Sequence, residues 1–320
     1  MLILGHDDVL AALSPEECAD AVAAVLAAHA RGDALMPLRS LIQFEGAAGF
    51  MGLMPAWRGG SDPLFALKSL CVMPGNPARG LDSHQGTVTL FDGSTGVPTA
   101  VLDASAVTSV RTAAVSAVAT RVLAREDARV LAVLGAGVQG RAHLAALPAV
   151  RDFEEVRVYA PSSEHARALA DGRATVASSA EEAVRGADVI VLATSSREPV
   201  VRRDWLAAGT HVNAIGASVP TSRELDVETV AASALFCDSR ESLLAEAGEF
   251  RLALEQGAIT GEEHVRATLG EVLAGIAPGR TDPRELTVFR SLGLAVEDLG
   301  AAERAVALAR ERRIGVEVEL

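Results

Sequence analysis

The sequence predicts an α/β protein, with a doubly wound parallel sheet joined to a second unit of α+β character. Three observations predict it. From residue 129 onward, short apolar runs alternate with helical patterns, the rhythm of a parallel sheet covered on both faces. Between residues 38 and 101 the runs are instead separated by Gly, Pro, Asn and Asp, the punctuation of a mixed or antiparallel sheet. Residues 130–144 pass from an apolar run through G-x-G-x-x-G into a helical stretch, a strand–turn–helix unit of the kind that opens such parallel sheets.

The elements follow in chain order. Residues 14–31 read as an amphipathic helix: Ser14 is the N-cap, Pro15 suits the first helical position and Glu17 completes a capping box. Residues 41–44, 49–54, 65–72, 86–91 and 99–102 read as strands, and 106–124 as a long helix with small residues over much of its surface. The parallel strands are expected at 129–134, 155–160, 174–177, 189–194, 211–215 and 234–237, and a final helix at 295–312. There is no internal repeat and no low-complexity linker beyond an alanine bias.

At 320 residues the chain can hold two domains. Its 49% hydrophobic and 3% aromatic content describes an Ala/Val/Leu-rich enzyme rather than a disordered chain. A net charge of −13 argues against nucleic acid or an anionic membrane surface as partner. It also requires local positive charge wherever an anion binds. Three cysteines with no C-x-x-C pair argue against a disulfide scaffold and a zinc site, so no metal is expected and a reducing cytoplasm fits. Asp7 and Asp8 stand where a signal peptide would carry Lys or Arg, and no apolar run is long enough to span a bilayer.

The glycine unit points to a nucleotide. Gly135 permits the tight turn, Gly137 lets the backbone approach a pyrophosphate, and Gly140 lets the helix pack closely on the strand. The helix beginning at Val138 and Gln139 then offers free N–H groups to phosphate. This makes the parallel sheet Rossmann-type. NAD sites place Asp or Glu about twenty residues beyond the glycines, on the ribose 2′-OH. Here the second strand runs out at Ala160-Pro161-Ser162-Ser163. Ser162 and Ser163 can donate to a 2′-phosphate, with Arg141 or Arg167 supplying charge, so NADP(H) is expected in preference to NAD(H). The plainer alternative is a serine helix cap with no part in cofactor choice.

Three basic residues stand out in the first unit. Lys68 lies inside the apolar run 64–72 and needs a partner or a ligand, unless it snorkels from an edge strand. Arg111 sits among small residues on the long helix, which leaves its guanidinium prominent, and Arg39 precedes a strand. Arg suits bidentate binding of a carboxylate. Together they suggest a pocket for a small carboxylate, although spacing alone does not make them converge.

The runs Ser83-His84-Gln85-Gly86-Thr87-Val88-Thr89-Leu90-Phe91-Asp92, Thr95-Gly96-Val97-Pro98 and Arg111-Thr112-Ala113-Ala114 resemble the ornithine cyclodeaminase/mu-crystallin family. So do Gly135-Ala136-Gly137-Val138-Gln139, Asn213-Ala214-Ile215-Gly216-Ala217-Ser218, Arg223-Glu224-Leu225-Asp226 and the stretch 287–298. The likeness covers nearly the whole chain. It implies a homodimer whose residues 1–117 and 296–320 form the dimerisation and substrate-binding domain, with a Rossmann dinucleotide-binding domain over 118–295. It implies that Arg39, Lys68 and Arg111 hold the substrate carboxylate, Arg111 also touching the cofactor. Ser83, His84, Gln139, Thr194 and Ser291 would then lie near the cofactor.

Members of the family reduce cyclic ketimines, interconvert amino acids and 2-oxo acids, or cyclise ornithine or lysine with loss of ammonia. Deaminating members carry Asp in a G-x-D pattern after a strand; this chain has Gly216-Ala217-Ser218, as the ketimine reductases do. A carboxylate there would take a proton from a substrate amine. A serine instead orients a substrate or relays a proton to a nascent amine, and Asp226 and Glu246 remain as other acids. The resemblance therefore implies an NAD(P)H-dependent reductase of cyclic imino acids, with Lys68 and Ser218 as catalytic residues. The alternatives are ornithine cyclodeaminase, an amino acid dehydrogenase or, from another class, a non-catalytic small-molecule binding protein.

Overall fold

The computed structural model describes residues 1–319 and divides into two compact units, Met1–Val115 with Gly293–Leu320, and Ser116–Leu292. Leu320, the last residue of the segment expected in the first domain, lies outside the described residues. The chain begins β1 (Leu2–Leu4), α1 (His6–Ala12), α2 (Pro15–Arg31), β2 (Ala34–Leu35), β3 (Ser40–Gln43), β4 (Phe50–Arg58), β5 (Leu64–Val72), β6 (His84–Asp92), β7 (Pro98–Asp103) and α3 (Ala104–Leu123). The parallel part follows: β8 (Val130–Leu134), α4 (Val138–Ala146), β9 (Glu155–Tyr159), α5 (Ser163–Ala170), β10 (Thr175–Val176), α6 (Ala180–Val184), β11 (Val189–Leu192), β12 (His211–Ala214), α7 (Val227–Ala232), β13 (Ala234–Cys237), α8 (Arg240–Glu246), α9 (Gly248–Glu255), β14 (Val265–Thr268), α10 (Leu269–Leu273) and β15 (Thr287–Arg290). Finally α11 (Ala295–Arg312) and β16 (Val316–Glu317) return to the first unit.

In the first unit, strands β4 to β7 form an antiparallel ladder, extended by β2 and β3 at β4 and by β1 and β16 beyond β7. The period-2 alternation puts Ala66, Lys68 and Leu70 on the buried face of β5, under α11, while Phe65, Leu67 and Ser69 face the other way. Lys68 is therefore on a central strand and buried, not snorkelling from an edge. The capping box of α2 forms as expected: the Ser14 Oγ accepts from the Glu17 N–H at 3.2 Å and the Glu17 carboxylate accepts from the Ser14 N–H at 3.1 Å.

In the second unit the strand order is β10-β9-β8-β11-β12-β15-β13-β14, every neighbour parallel. The first five positions follow the 3-2-1-4-5 order of a Rossmann sheet. All four residues of β11 are buried, as strands covered on both faces require. Strands β14 and β15 give no signal in the sequence, because four-residue strands carrying Arg266 or Arg290 form no apolar run. Only a short 3₁₀ turn, Arg203–Trp205, lies between β11 and β12. The small residues of α3 are explained by burial almost all round the helix.

Candidate active site

The cofactor residues expected in the second unit lie at the carboxyl ends of the parallel strands, whereas Ser83, His84 and Arg111 belong to the first unit. Gly135 and Gly137 follow β8, Ser162 and Ser163 follow β9, Thr194 follows β11, Ser218 follows β12 and Ser291 follows β15. These strands are consecutive in the sheet, and ligands of such sheets bind outside the carboxyl ends at the switch point, here between β8 and β11. The three glycines differ in their surroundings. Gly135 has φ +110°, and a Cβ on it would meet the Ala193 carbonyl oxygen at 2.3 Å. A Cβ on Gly140 would meet the Gly135 carbonyl oxygen at 2.0 Å, so helix and strand pack backbone to backbone. A Cβ on Gly137 would meet nothing within 4 Å. Gly137 is the N-cap of α4, with no side chain capping it and no acid in the first turn, and Val138 is exposed beside it. Open space, uncapped N–H groups and the helix dipole fit a dinucleotide pyrophosphate.

Ser162 caps α5, accepting the His165 N–H at 3.3 Å; its hydroxyl proton stays available to a phosphate. Ser163 and Arg141 are exposed, and Arg141 donates to the Ala136 carbonyl at 3.1 Å. Ser218 is exposed, and Ser291 is buried with its hydroxyl on Asp238. Gln139 is half-buried. Asp226 caps α7 by accepting the Thr229 N–H at 2.9 Å, and Glu246 is half-buried at the end of α8.

The first unit brings its cations together. Lys68 Nζ lies 3.2 Å from both carboxylate oxygens of Asp298, and Arg111 donates from Nε to Asp298 at 3.0 Å and from Nη1 to Glu297 at 2.8 Å. Burial, then the charges of Arg111 and Arg39, outweigh Asp298 and pull the Lys68 ammonium down to about 8. Arg39 thus stands close enough to be felt by Lys68. His84 is exposed on β6, with its Nδ1 3.0 Å from the Ser83 hydroxyl. Its imidazole is held below the ordinary value by loss of surrounding water and by Lys68 and Arg111, against the pull of Asp82. Arg39, Lys68, His84 and Arg111 therefore share one electrostatic neighbourhood. The expectation of a prominent Arg111 is corrected: its guanidinium is buried, because two acids in the first turn of α11 fold over it. Gly293, at φ +82°, lets the backbone pass so close that a Cβ would lie 2.7 Å from Arg111 Nη1.

Sequence reasoning missed Glu297 and Asp298, which read as an ordinary acidic first turn. It also missed the buried Glu224, Glu249 and Arg290. The test that singled out Lys68, a charge inside an apolar strand, applies equally to Arg290 in Thr-Val-Phe-Arg.

The sheet order, the glycine loop and the loops at one sheet edge define a protein of the Rossmann type. The chain belongs to the ornithine cyclodeaminase/mu-crystallin family, whose model matches residues 2–311. It is 41% identical over 275 residues to the ketimine reductase mu-crystallin of Mus musculus, covering 85% of this chain and 84% of that one. The Thermococcus litoralis Delta(1)-pyrroline-2-carboxylate reductase, solved in complex with NADH and L-proline, superposes with a TM-score of 0.94 at 36% identity, over 99% of this chain and all of that one. An archaeal alanine dehydrogenase dimer with bound NAD gives 0.93 at 36% identity, over 100% and 99% of the two chains.

Proposed function

We propose that this protein is an NAD(P)H-dependent reductase that converts cyclic imino acids, such as 1-pyrroline-2-carboxylate and 1-piperideine-2-carboxylate, into cyclic amino acids. The observation that carries this reading is the convergence of Lys68 and Arg111 on Asp298 in one buried cluster, with the charge of the half-buried Arg39 felt at Lys68. Asp298 and Glu297 hold Lys68 and Arg111 in place, and a carboxylate fits the planar fork of Arg beside a point charge. Two relatives act by name on imines, and one holds L-proline, the amino acid a pyrroline carboxylate gives on reduction.

Lys68 and Arg111 grip the carboxylate and Arg39 closes on it. Lys68 has three N–H donors, of which Asp298 takes two, so one remains for substrate. The nicotinamide, when bound, supplies the hydride that adds to the C=N carbon. The imine enters protonated from solution, so no base is needed. Ser218 stands where deaminating relatives carry Asp; it orients the ring and relays a proton at the nitrogen. Gly135, Gly137, Val138 and Gln139 hold the pyrophosphate. We assign Thr194 and Ser291, and by the family resemblance Ser83 and His84, to cofactor binding as well, and Ser162 and Ser163 donate to a 2′-phosphate, which favours NADP(H).

The first unit is the substrate and dimerisation domain and the second the dinucleotide-binding domain. The outer face of the first unit's sheet supports a homodimer. Met51, Pro55 and Phe65 are exposed there and Leu53, Trp57 and Leu67 are half-buried, an apolar surface that the chain leaves uncovered among its described residues. No described helix is long and apolar enough to cross a membrane, and we place the dimer in the cytoplasm.

The test is direct. The pure protein is given 1-piperideine-2-carboxylate with NADPH or NADH, and separately L-ornithine with NADP⁺ or NAD⁺. Imine reduction, faster with NADPH, and negligible formation of proline and ammonia are expected. Rapid ornithine cyclisation with little imine reduction overturns the reading. A clear NADH preference overturns only the cofactor choice.

A further inference from the structure

A second buried charge cluster lies wholly inside the parallel unit. Glu224 is fully buried, yet its carboxylate is the meeting point of two loops. One oxygen accepts from the Thr194 N–H at 2.7 Å and the Thr194 hydroxyl at 2.8 Å. The other accepts from the Gly216 N–H at 2.8 Å and the Ala217 N–H at 3.3 Å. These loops leave the carboxyl ends of β11 and β12, neighbours in the sheet. They run so close that a Cβ on Gly216 would meet the Thr194 carbonyl oxygen at 2.1 Å. Arg290 fastens the same loop through its carbonyls: Nη1 donates to Ala214 and to Ser291 at 2.8 Å each, and Nη2 donates to Ala217. Glu249, also buried, neutralises Arg290 at 2.7 Å. The backbone carbonyl of Glu224 is itself held by the Val200 and Val201 N–H groups, at 2.9 and 3.1 Å.

We propose that Glu224 is a positioning residue, which sets Thr194 and the Gly216-Ala217-Ser218 loop in one fixed register by taking donors from both. This rests on the reading of Thr194 as facing cofactor and Ser218 as facing substrate. A buried carboxylate is costly unless its lone pairs are filled, and here four donors fill them. A turn that needed only local satisfaction would be served by a serine or by water. A carboxylate that bridges two loops is useful where their separation matters, as it does for groups aligned on one reaction. Arg290, with Glu249 beside it as counter-charge, does for the carbonyls what Glu224 does for the N–H groups, so the Ser218 loop is held from both sides of its peptide planes.

The test compares Glu224→Gln with the unchanged protein. The amide keeps the size but turns one acceptor into a donor aimed at N–H groups, so two of the four bonds are lost. The first readout is amide hydrogen exchange at residues 194, 216 and 217. The second is kcat on 1-piperideine-2-carboxylate set against KM for NADPH. Exchange at those amides is expected to accelerate at least tenfold and kcat to fall tenfold to a hundredfold, a larger change than that in KM for NADPH, to which the untouched glycine loop still contributes. Unchanged exchange, or a folded variant with kcat within twofold, overturns the proposal. A lower melting temperature with unchanged kcat assigns Glu224 a structural role only and overturns it equally. Should Glu224→Gln not fold, Glu224→Asp, which draws the oxygens back by one methylene, is measured in the same two ways, and the same results support or overturn the proposal. If the unchanged protein reduces no cyclic imino acid, the functional reading fails alone, and the exchange measurement still decides whether Glu224 holds the loops.

Discussion

Both units bury charge, but they satisfy it differently. In the first unit Lys68 and Arg111 meet Asp298 and Glu297 side chain to side chain. In the second, Glu224 and Arg290 spend most of their bonds on backbone N–H and C=O groups. A side-chain pair can leave a donor over for a ligand, as Asp298 leaves the third N–H of Lys68 for a carboxylate. Backbone bonds cannot be exchanged without moving the chain. The first arrangement therefore suits recognition and the second suits geometry.

The largest expected effect comes from breaking the first arrangement. Lys68→Met and Arg111→Met each remove a charge-assisted bond to the substrate carboxylate, about 1.5–3 kcal/mol, so kcat/KM on a cyclic imino acid should fall roughly tenfold to a hundredfold. Each also strands a buried acid, which costs on the order of 3–5 kcal/mol of stability. The two losses separate in the double variant Lys68→Met/Asp298→Asn, where charge is rebalanced. Thermal melting should recover most of the stability while steady-state kinetics stay at least tenfold down. If activity returns together with stability, Lys68 is a structural ion-pair partner and the contrast between the units collapses.

What the sequence made legible follows the same division. The glycine loop was legible because Gly135 and Gly140 answer to backbone contacts fixed by the fold itself. Lys68 was legible because a lone charge in an apolar strand needs an explanation. Its partner Asp298, 230 residues away, was not, since an acid in the first turn of a helix already has a local reason to be there. The burial of Arg111 was misjudged for the same cause: small neighbours on α3 speak for close packing but not for what packs. Glu224 stands out only as part of a motif, because no local pattern tells which N–H groups a carboxylate will meet across two loops. Strands β2, β14, β15 and β16 are two to four residues long and carry no apolar run, whereas the four-residue β11 and β13 are legible because theirs is unbroken.

A smaller effect sharpens the recognition side. The Lys68 ammonium, lowered to about 8 first by burial and then by Arg111 and Arg39, loses its proton as pH rises through that value. Carboxylate binding should then weaken, by up to about tenfold per pH unit. L-Proline as a product inhibitor is the clean probe, because its own amine titrates well above this range. Its inhibition constant should be flat from about pH 6.5 to 7.5 and rise above about 8. In Lys68→Arg, whose guanidinium stays charged, the rise should vanish. A constant that stays flat to about pH 9 in the unchanged protein would show that Lys68 does not hold the carboxylate.

The smallest effect belongs to the geometric side, where the parallel unit also buries two neutral imidazoles. His143 lies between the Gln139 carbonyl at 2.7 Å and the Ser116 hydroxyl at 2.8 Å, and burial lowers it to about 4. His211 lies between Thr287 at 2.9 Å and Asn213 at 3.3 Å, and burial, helped by the Arg280 charge, lowers it to about 3. An unfolded histidine takes its proton near pH 6.5. Between that value and the folded ones, the unfolded chain binds more protons, so stability falls as pH falls through the window. At about pH 5.5 each histidine should cost about 1 kcal/mol relative to about pH 7.5, a shift of a few degrees in melting temperature. The first unit has no fully buried histidine among its described residues, and Lys68 keeps most of its charge over this range. The acid sensitivity should therefore shrink by about half in His143→Gln, whose amide can still donate to the Gln139 carbonyl. A His143→Gln variant as acid-sensitive as the unchanged protein would show that His143 does not carry this dependence.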